Sequence, residues 1–162
     1  MYSSLITADG FLIDLVPGFA HFVALTDEGQ VFMWGDNEFC QLGVGPLSSG
    51  RYSYTPLLVR GALENERVTS VACGFNHTIA LTDGGVVYGW GFNKDGRVGV
   101  SGVNSIGPAN IISFPAKVAF PEANAKIISV ACGRQFSVAL SEEGHVSCKT
   151  IVFPFTSSVT FL

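Results

Sequence analysis

The chain repeats itself. Displaced by 56 residues, Val16–Gly45 falls on Ala72–Ser101 with 14 of 30 positions identical. The coincidences include Gly18/Gly74, His21/His77, Gly29/Gly85, Trp34/Trp90, Gly35/Gly91 and Asn37/Asn93. A further displacement of 59 sets Val71–Val87 on Val130–Val146 with 8 of 17 identical, among them Gly74/Gly133 and Gly85/Gly144. A long period of this kind means one supersecondary unit stacked several times, because a single unit cannot bury its own apolar face. The connecting segments agree as well, Pro56-Leu57-Leu58-Val59 answering Pro115-Ala116-Lys117-Val118.

Within the unit the pattern is that of short strands. Val68-Thr69-Ser70-Val71-Ala72 is rich in β-branched residues and stops at Cys73-Gly74. His77–Leu81 follows, Thr82-Asp83-Gly84-Gly85 makes a turn in which Gly85 can take positive φ, and Val86–Trp90 returns antiparallel. A longer polar loop then leads to Leu57-Leu58-Val59 as a short fourth strand of the first unit. No segment keeps an i, i+3, i+4, i+7 apolar stripe, which excludes a helical solenoid. Four antiparallel strands, repeated, define an all-β chain of propeller blades.

Composition narrows the function. With 48% hydrophobic residues in 162, the chain is not intrinsically disordered. A formal net charge of −4 argues against nonspecific nucleic-acid binding. The start, Met1-Tyr2-Ser3-Ser4-Leu5, has no basic residue, and Asp9 and Asp14 interrupt the apolar residues that follow, so no secretory signal is read. No run is long enough to span a bilayer. An intracellular protein of the cytoplasm or nucleus is expected, with its four cysteines reduced. Cys73 and Cys132 share the context Val-Ala-Cys-Gly, which points to a common packing role, and no C-x-x-C or Cys/His cluster suggests zinc.

The combination Ala-Cys-Gly, His-Thr, Ala-Leu-Thr, Trp-Gly-x-Asn and Gln-Leu-Gly, spread over Phe19–Gly43 and Val71–Asn93, resembles the repeats of the regulator of chromosome condensation (RCC1) family. The resemblance runs from about Leu12 to Val146. It implies an incomplete RCC1-type β-propeller, about 2.5–3 four-stranded antiparallel blades of an expected seven. The expected layout is a lead-in at 1–11, repeats at 12–67, 68–126 and a partial one at 127–146, and a tail at 147–162. Where an aromatic and Trp-Gly are due, Ser147-Cys148-Lys149-Thr150 stands instead. The uncharged tail after it reads as sequence foreign to the repeat and contributes to the mean hydropathy of +0.39. Cys40 for Gly96, and Arg97-Val98 for Gln41-Leu42, are milder departures.

No catalytic, cofactor or metal site is read from the residues. His21 and His77 are repeat-equivalent, so each is expected to be a structural histidine hydrogen-bonded within its own blade, and Phe136 takes that place in the third unit. His145 is expected to be an exposed strand residue. Trp34 and Trp90 read as core, and Gly18, Gly29, Gly35, Gly74, Gly85, Gly91, Gly133 and Gly144 as repeat punctuation. Asn76-His77-Thr78 matches a glycosylation sequon, but the repeat signature accounts for it. Asn93-Lys94-Asp95-Gly96 lacks the carboxylates of a calcium loop, and no glycine run completes a phosphate-binding motif.

The candidate interaction element is the loop Pro46–Tyr54, where Arg51, Tyr52 and Tyr54 are of the types enriched at binding hot spots. Its counterpart Gly102–Ser113 carries no such chemistry. The resemblance implies a non-enzymatic protein–protein interaction scaffold whose partners are a small GTPase, chromatin or ubiquitin-pathway proteins. Alternatives in the same family are guanine-nucleotide exchange on a Ran-like GTPase and the partner-binding part of a ubiquitin ligase. A truncated product without function is a further alternative. An open arc of blades also exposes apolar faces, so self-association through them is expected.

Overall fold

The computed structural model of the chain describes residues 10–100, 110–120 and 126–149. The lead-in up to residue 9, most of the Gly102–Ser113 loop and the tail from residue 150 lie outside the described residues. Three antiparallel sheets follow one another along the chain. Blade 1 comprises β1 (Leu12–Pro17), β2 (His21–Thr26), β3 (Val31–Asp36) and β4 (Tyr52–Leu58). Blade 2 comprises β5 (Val68–Cys73), β6 (His77–Thr82), β7 (Val87–Phe92) and β8 (Ile111–Lys117). Blade 3 has β9 (Ile127–Cys132), β10 (Ser137–Ser141) and β11 (Val146–Lys149).

Each sheet is a simple meander, so its connections alternate between two rims. The β1–β2 and β3–β4 connections, with their equivalents in the other blades, form what we call the near rim. The β2–β3 hairpins and the segments joining successive blades form the far rim. Consecutive sheets pack face to face over one apolar core, to which blade 1 gives Val23, Leu25, Met33 and Leu42. Blade 2 supplies Val71, Ile79, Trp90 and Val98, and blade 3 supplies Ile127 and Ala139.

The repeated hairpin has one recipe. Gly29 N–H donates to the Thr26 carbonyl at 2.9 Å, Gly85 to Thr82 at 3.0 Å and Gly144 to Ser141 at 3.0 Å. The Thr26, Thr82 and Ser141 hydroxyls each accept from the amide just past the glycine, at 3.1, 3.3 and 3.1 Å. The glycines sit at φ 80°, 76° and 85°, the left-handed position that ends a three-residue hairpin loop. His145 follows the third of these glycines and is exposed, just ahead of β11 rather than within it.

Gly91 meets a harder constraint. Its φ is +97°, and a Cβ there would stand 2.5 Å from the Asn76 carbonyl oxygen and 2.8 Å from the His77 Cα. Both are backbone atoms, one just before β6 and one at its first residue, and cannot swing aside. Gly91→Ala is therefore expected to destabilise the chain by about 2–4 kcal/mol, combining left-handed strain with a collision. Gly50 has φ +114° with open space around it, so Gly50→Ala should cost about 1–2 kcal/mol from the dihedral alone. Urea unfolding of the two variants checks this; equal losses would remove the steric part of the account.

Two boundaries differ from the sequence reading. The fourth strand of blade 1 begins at Tyr52 rather than Leu57, because after a register shift β4 pairs again with the end of β3, Gly35 opposite Ser53 and Asp36 opposite Tyr52. The strand of the third unit that starts at Val146 continues through Ser147, Cys148 and Lys149, which pair with Ala139, Val138 and Ser137 of β10. Backbone pairing needs no particular side chain, so the loss of the Trp-Gly signature does not stop the strand at once.

Candidate functional site

The two repeat-equivalent histidines join blades. His21 Nε2 lies 3.1 Å from the Thr78 hydroxyl of blade 2, and His77 Nε2 lies 3.1 Å from the Ser137 hydroxyl of blade 3. This corrects the expectation of hydrogen bonds within each blade. Each hydroxyl in turn donates to a backbone carbonyl of the upstream blade, Thr78 to Gln41 at 3.1 Å and Ser137 to Arg97 at 2.8 Å. A hydroxyl whose proton is committed in this way accepts from the ring, which makes each imidazole the neutral Nε2–H tautomer. Burial pushes His21 down to about 4 against the pull of the Asp36 carboxylate. His77 falls to about 4 through burial and the nearby Arg97 cation. Gly18 and Gly74 lie directly under these rings, and Gly133 lies under Phe136 at the corresponding place in blade 3.

The tryptophans divide. Trp90 is fully buried at the blade 1–blade 2 junction, and its indole N–H donates to the Gln41 carbonyl at 2.9 Å. Trp34 is half-buried and stacks on Phe22 at 5.6 Å, on the face of blade 1 turned away from blade 2. The core role expected of both thus describes Trp90 alone.

Arg51, Tyr52 and Tyr54 do not lie on a free loop. Tyr52 and Tyr54 belong to β4, and Arg51 is tied to the end of β3. Its guanidinium grips Asp36 with two bonds, 2.6 and 2.9 Å, and reaches Glu38 at 2.9 Å. The same guanidinium lies 5.2 Å over the Tyr52 ring. The cation that composition offered to a partner is thus neutralised within the blade, while Tyr54 stays exposed.

A different set of residues stands free on the near rim. Phe19 and Phe75 stack at 3.9 Å with 20° between their planes, and the Arg134 guanidinium lies 4.9 Å over the Phe75 ring. The three occupy one repeat position, the residue after Gly18, Gly74 and Gly133, and so form a ladder across three blades. Phe75 N–H donates to the Arg134 carbonyl at 3.1 Å, which locks two of the rungs together. Phe19 is 71% exposed. A groove of about 520 Å³ runs beneath, floored by Pro17, Cys73, Cys132 and the three glycines. Burial raises the Cys73 thiol well above its ordinary range and pushes Cys132 up to about 12, so both stay protonated and inert at neutral pH.

Sequence reasoning passed over this ladder because Phe19 and Phe75 match only as repeat positions and Arg134 breaks the match in the third unit. The available signal was a large side chain directly after a turn glycine in all three units. Nearby on the same rim Phe39 packs on Phe92 at 4.5 Å, with Arg97 5.1 Å over Phe92. The far rim differs in charge. It carries Asp27, Glu28, Glu64, Glu66, Asp83, Glu142 and Glu143 against Arg60, Arg67, Lys117 and Lys126. Among the described residues no group of His, Cys, Asp and Glu is placed to hold a metal ion, and no helix is long and apolar enough to cross a membrane.

Face-packed antiparallel meanders of four, four and three strands joined by inter-blade hydrogen bonds define a β-propeller arc. The RCC1 repeat model matches residues 28–81 and 84–140, and a second model of the same repeat matches 68–97; the chain belongs to the regulator of chromosome condensation (RCC1) repeat family. Protein RCC2 of Homo sapiens is 35% identical over 127 residues, 78% of this chain and 22% of that protein. The ultraviolet-B receptor UVR8 of Arabidopsis thaliana is 32% identical over 129 residues, covering 80% and 27%. The crystal structure of Prp20p from Saccharomyces cerevisiae, described with its binding properties to Gsp1p and histones, superposes with a TM-score of 0.71 at 26% identity, covering 85% of this chain and 32% of that one. The chain thus spans about a quarter of the length of these curated relatives.

Proposed function

We propose that the chain is part of a protein-interaction scaffold whose recognition surface is the near rim, centred on the Phe19–Phe75–Arg134 ladder. The exposure of Phe19 carries this reading. An aromatic ring left in water contributes little to folding, whereas the same ring covered by a partner supplies an anchor of the kind that dominates binding energies. Arg134 adds a cation with no ion-pair partner among the described residues, already oriented by Phe75. A rigid β framework presenting loops needs no covalent chemistry. The cytoplasm or nucleus, where small GTPases and chromatin are met, is the compartment that goes with this role.

The test uses the full chain immobilised, with a Gsp1p-type GTPase and core histones as soluble probes. Binding to at least one is expected, weakened at least tenfold by Phe19→Ala and by Arg134→Ala with the thermal midpoint unchanged. No binding to either probe, or variants that bind like the parent, would overturn the reading. Nucleotide release from the GTPase is measured in parallel. Acceleration by the parent chain moves the function to exchange.

A further inference from the structure

The segment that carries the chain from blade 1 to blade 2 is an arch with both feet pinned to one hairpin. Val59 N–H donates to the Val31 carbonyl at 2.9 Å, and Val68 N–H donates to the Gly29 carbonyl at 3.2 Å. Between the feet, Gly61–Leu63 makes a short helical turn, and the Glu64 and Glu66 amides donate back to the Gly61 and Leu63 carbonyls at 3.1 Å each. A cavity of about 420 Å³ lies between arch and hairpin. Buried Val31, Val59 and Leu63 form its apolar part. Glu28, Gln30, Glu64 and Glu66 form its polar part, with Arg60 as the cation among the lining residues. Arg60 lies 3.7 Å from Glu64, and the Tyr88 hydroxyl of blade 2 holds Glu66 at 2.9 Å. The Gln30 side-chain oxygen is buried and has no hydrogen-bond donor.

Blade 2 pins its own arch in the same way, Val118 N–H to the Val87 carbonyl at 2.9 Å and Ile127 N–H to the Gly85 carbonyl at 3.3 Å. Its hairpin has Gly84 and Val86 where blade 1 has Glu28 and Gln30. The arch therefore folds without these polar residues, and a buried amide oxygen lacking a donor is destabilising unless something from outside supplies one. Apolar floor and carboxylate mouth together suit a long side chain with an apolar stem and a cationic head. A guanidinium has five donors in one plane against the three of an ammonium, so it can answer carboxylates on different sides and the amide oxygen together. The volume is at the lower end of ligand pockets, roughly 300–1,000 Å³, and has room for one such side chain. Beyond the cavity the far rim continues with Asp27, Asp83, Glu142 and Glu143, which favours further cations on the same polymer. We propose that the cavity under the blade 1–blade 2 arch receives an arginine side chain from an extended basic segment of a partner protein. This is independent of the near-rim reading, because the two surfaces lie on opposite rims.

Fluorescence anisotropy of a short labelled glycine–serine peptide carrying spaced arginines, titrated with the full chain, tests it. The same peptide with citrulline for arginine, which keeps the shape and removes the charge, should bind at least tenfold more weakly. Glu28→Gly combined with Gln30→Val gives blade 1 the hairpin residues that blade 2 already folds with. This double variant should weaken binding at least tenfold and leave the urea midpoint unchanged. Glu142→Gln combined with Glu143→Gln removes two carboxylates of the same rim outside the cavity and should weaken binding less than threefold. Arginine amide, as a free small molecule, should compete at least a hundredfold less well than the unlabelled peptide. Equal binding of the arginine and citrulline peptides overturns the proposal. So does a Glu28/Gln30 variant that binds like the parent, and so does a Glu142/Glu143 variant that loses as much as it does. Arginine amide competing as well as the peptide would overturn the partner assignment and make the cavity a small-molecule site.

Discussion

Trp90→Ala is expected to cost about 3–5 kcal/mol in equilibrium urea unfolding, and Trp34→Ala about 1 kcal/mol. The two residues are 56 positions apart, on equivalent strands, in equivalent Trp-Gly-x-Asn sequences. Trp90 has blade 1 against its face: it is fully buried, packs on Gly43 and donates its indole N–H to the Gln41 carbonyl. Its removal opens a cavity at the junction of the two sheets and leaves the Gln41 carbonyl without the indole donor. Trp34 stacks on Phe22 at a face with no sheet beyond it among the described residues, so truncation returns already half-wet surface to water. Equal losses from the two variants would mean that the junction is not what buries Trp90.

Acid is expected to loosen the blade junctions before it titrates ordinary carboxylates. His21 and His77 each have a folded-state value near 4, against 6.5 for the free side chain. As pH falls from 6.5, the unfolded chain takes up protons that the folded chain refuses, so stability present above pH 6.5 is lost progressively down to about pH 4. The loss is about 3 kcal/mol for each histidine by pH 4. Between pH 6.5 and 4.5 the urea midpoint should therefore drop steeply in the parent. His77→Phe, which copies what blade 3 already does with Phe136, should remove about half of that slope. A parent midpoint flat across this window would show that the rings are hydrated or that their hydrogen bonds exchange freely.

Much of the blade was legible in advance. Gly29, Gly85 and Gly144 marked the hairpins because only a residue without a Cβ accepts φ near +80° without strain, and that is a local demand. The β-branched run Val68–Ala72 marked a strand for the same kind of reason. The candidate site was less legible. Arg51 looked available because its partners, Asp36 and Glu38, approach it only when β4 folds back on β3. The ladder looked like nothing, because Phe19, Phe75 and Arg134 become neighbours only when three blades bring their turns side by side.

The repeat, read as sequence, determined the strands, the turns, the blade and the family, because each of these depends on contacts within one unit. Which copy of a repeated residue is buried depends on what stands beyond that unit, and the tertiary structure alone decided it. His21 and Thr78, and His77 and Ser137, pair across sheets, while Phe22 and Phe136 hold the same positions with no sheet against them among the described residues. Burial depends on the neighbour, and the residues of one unit do not say which neighbour it has.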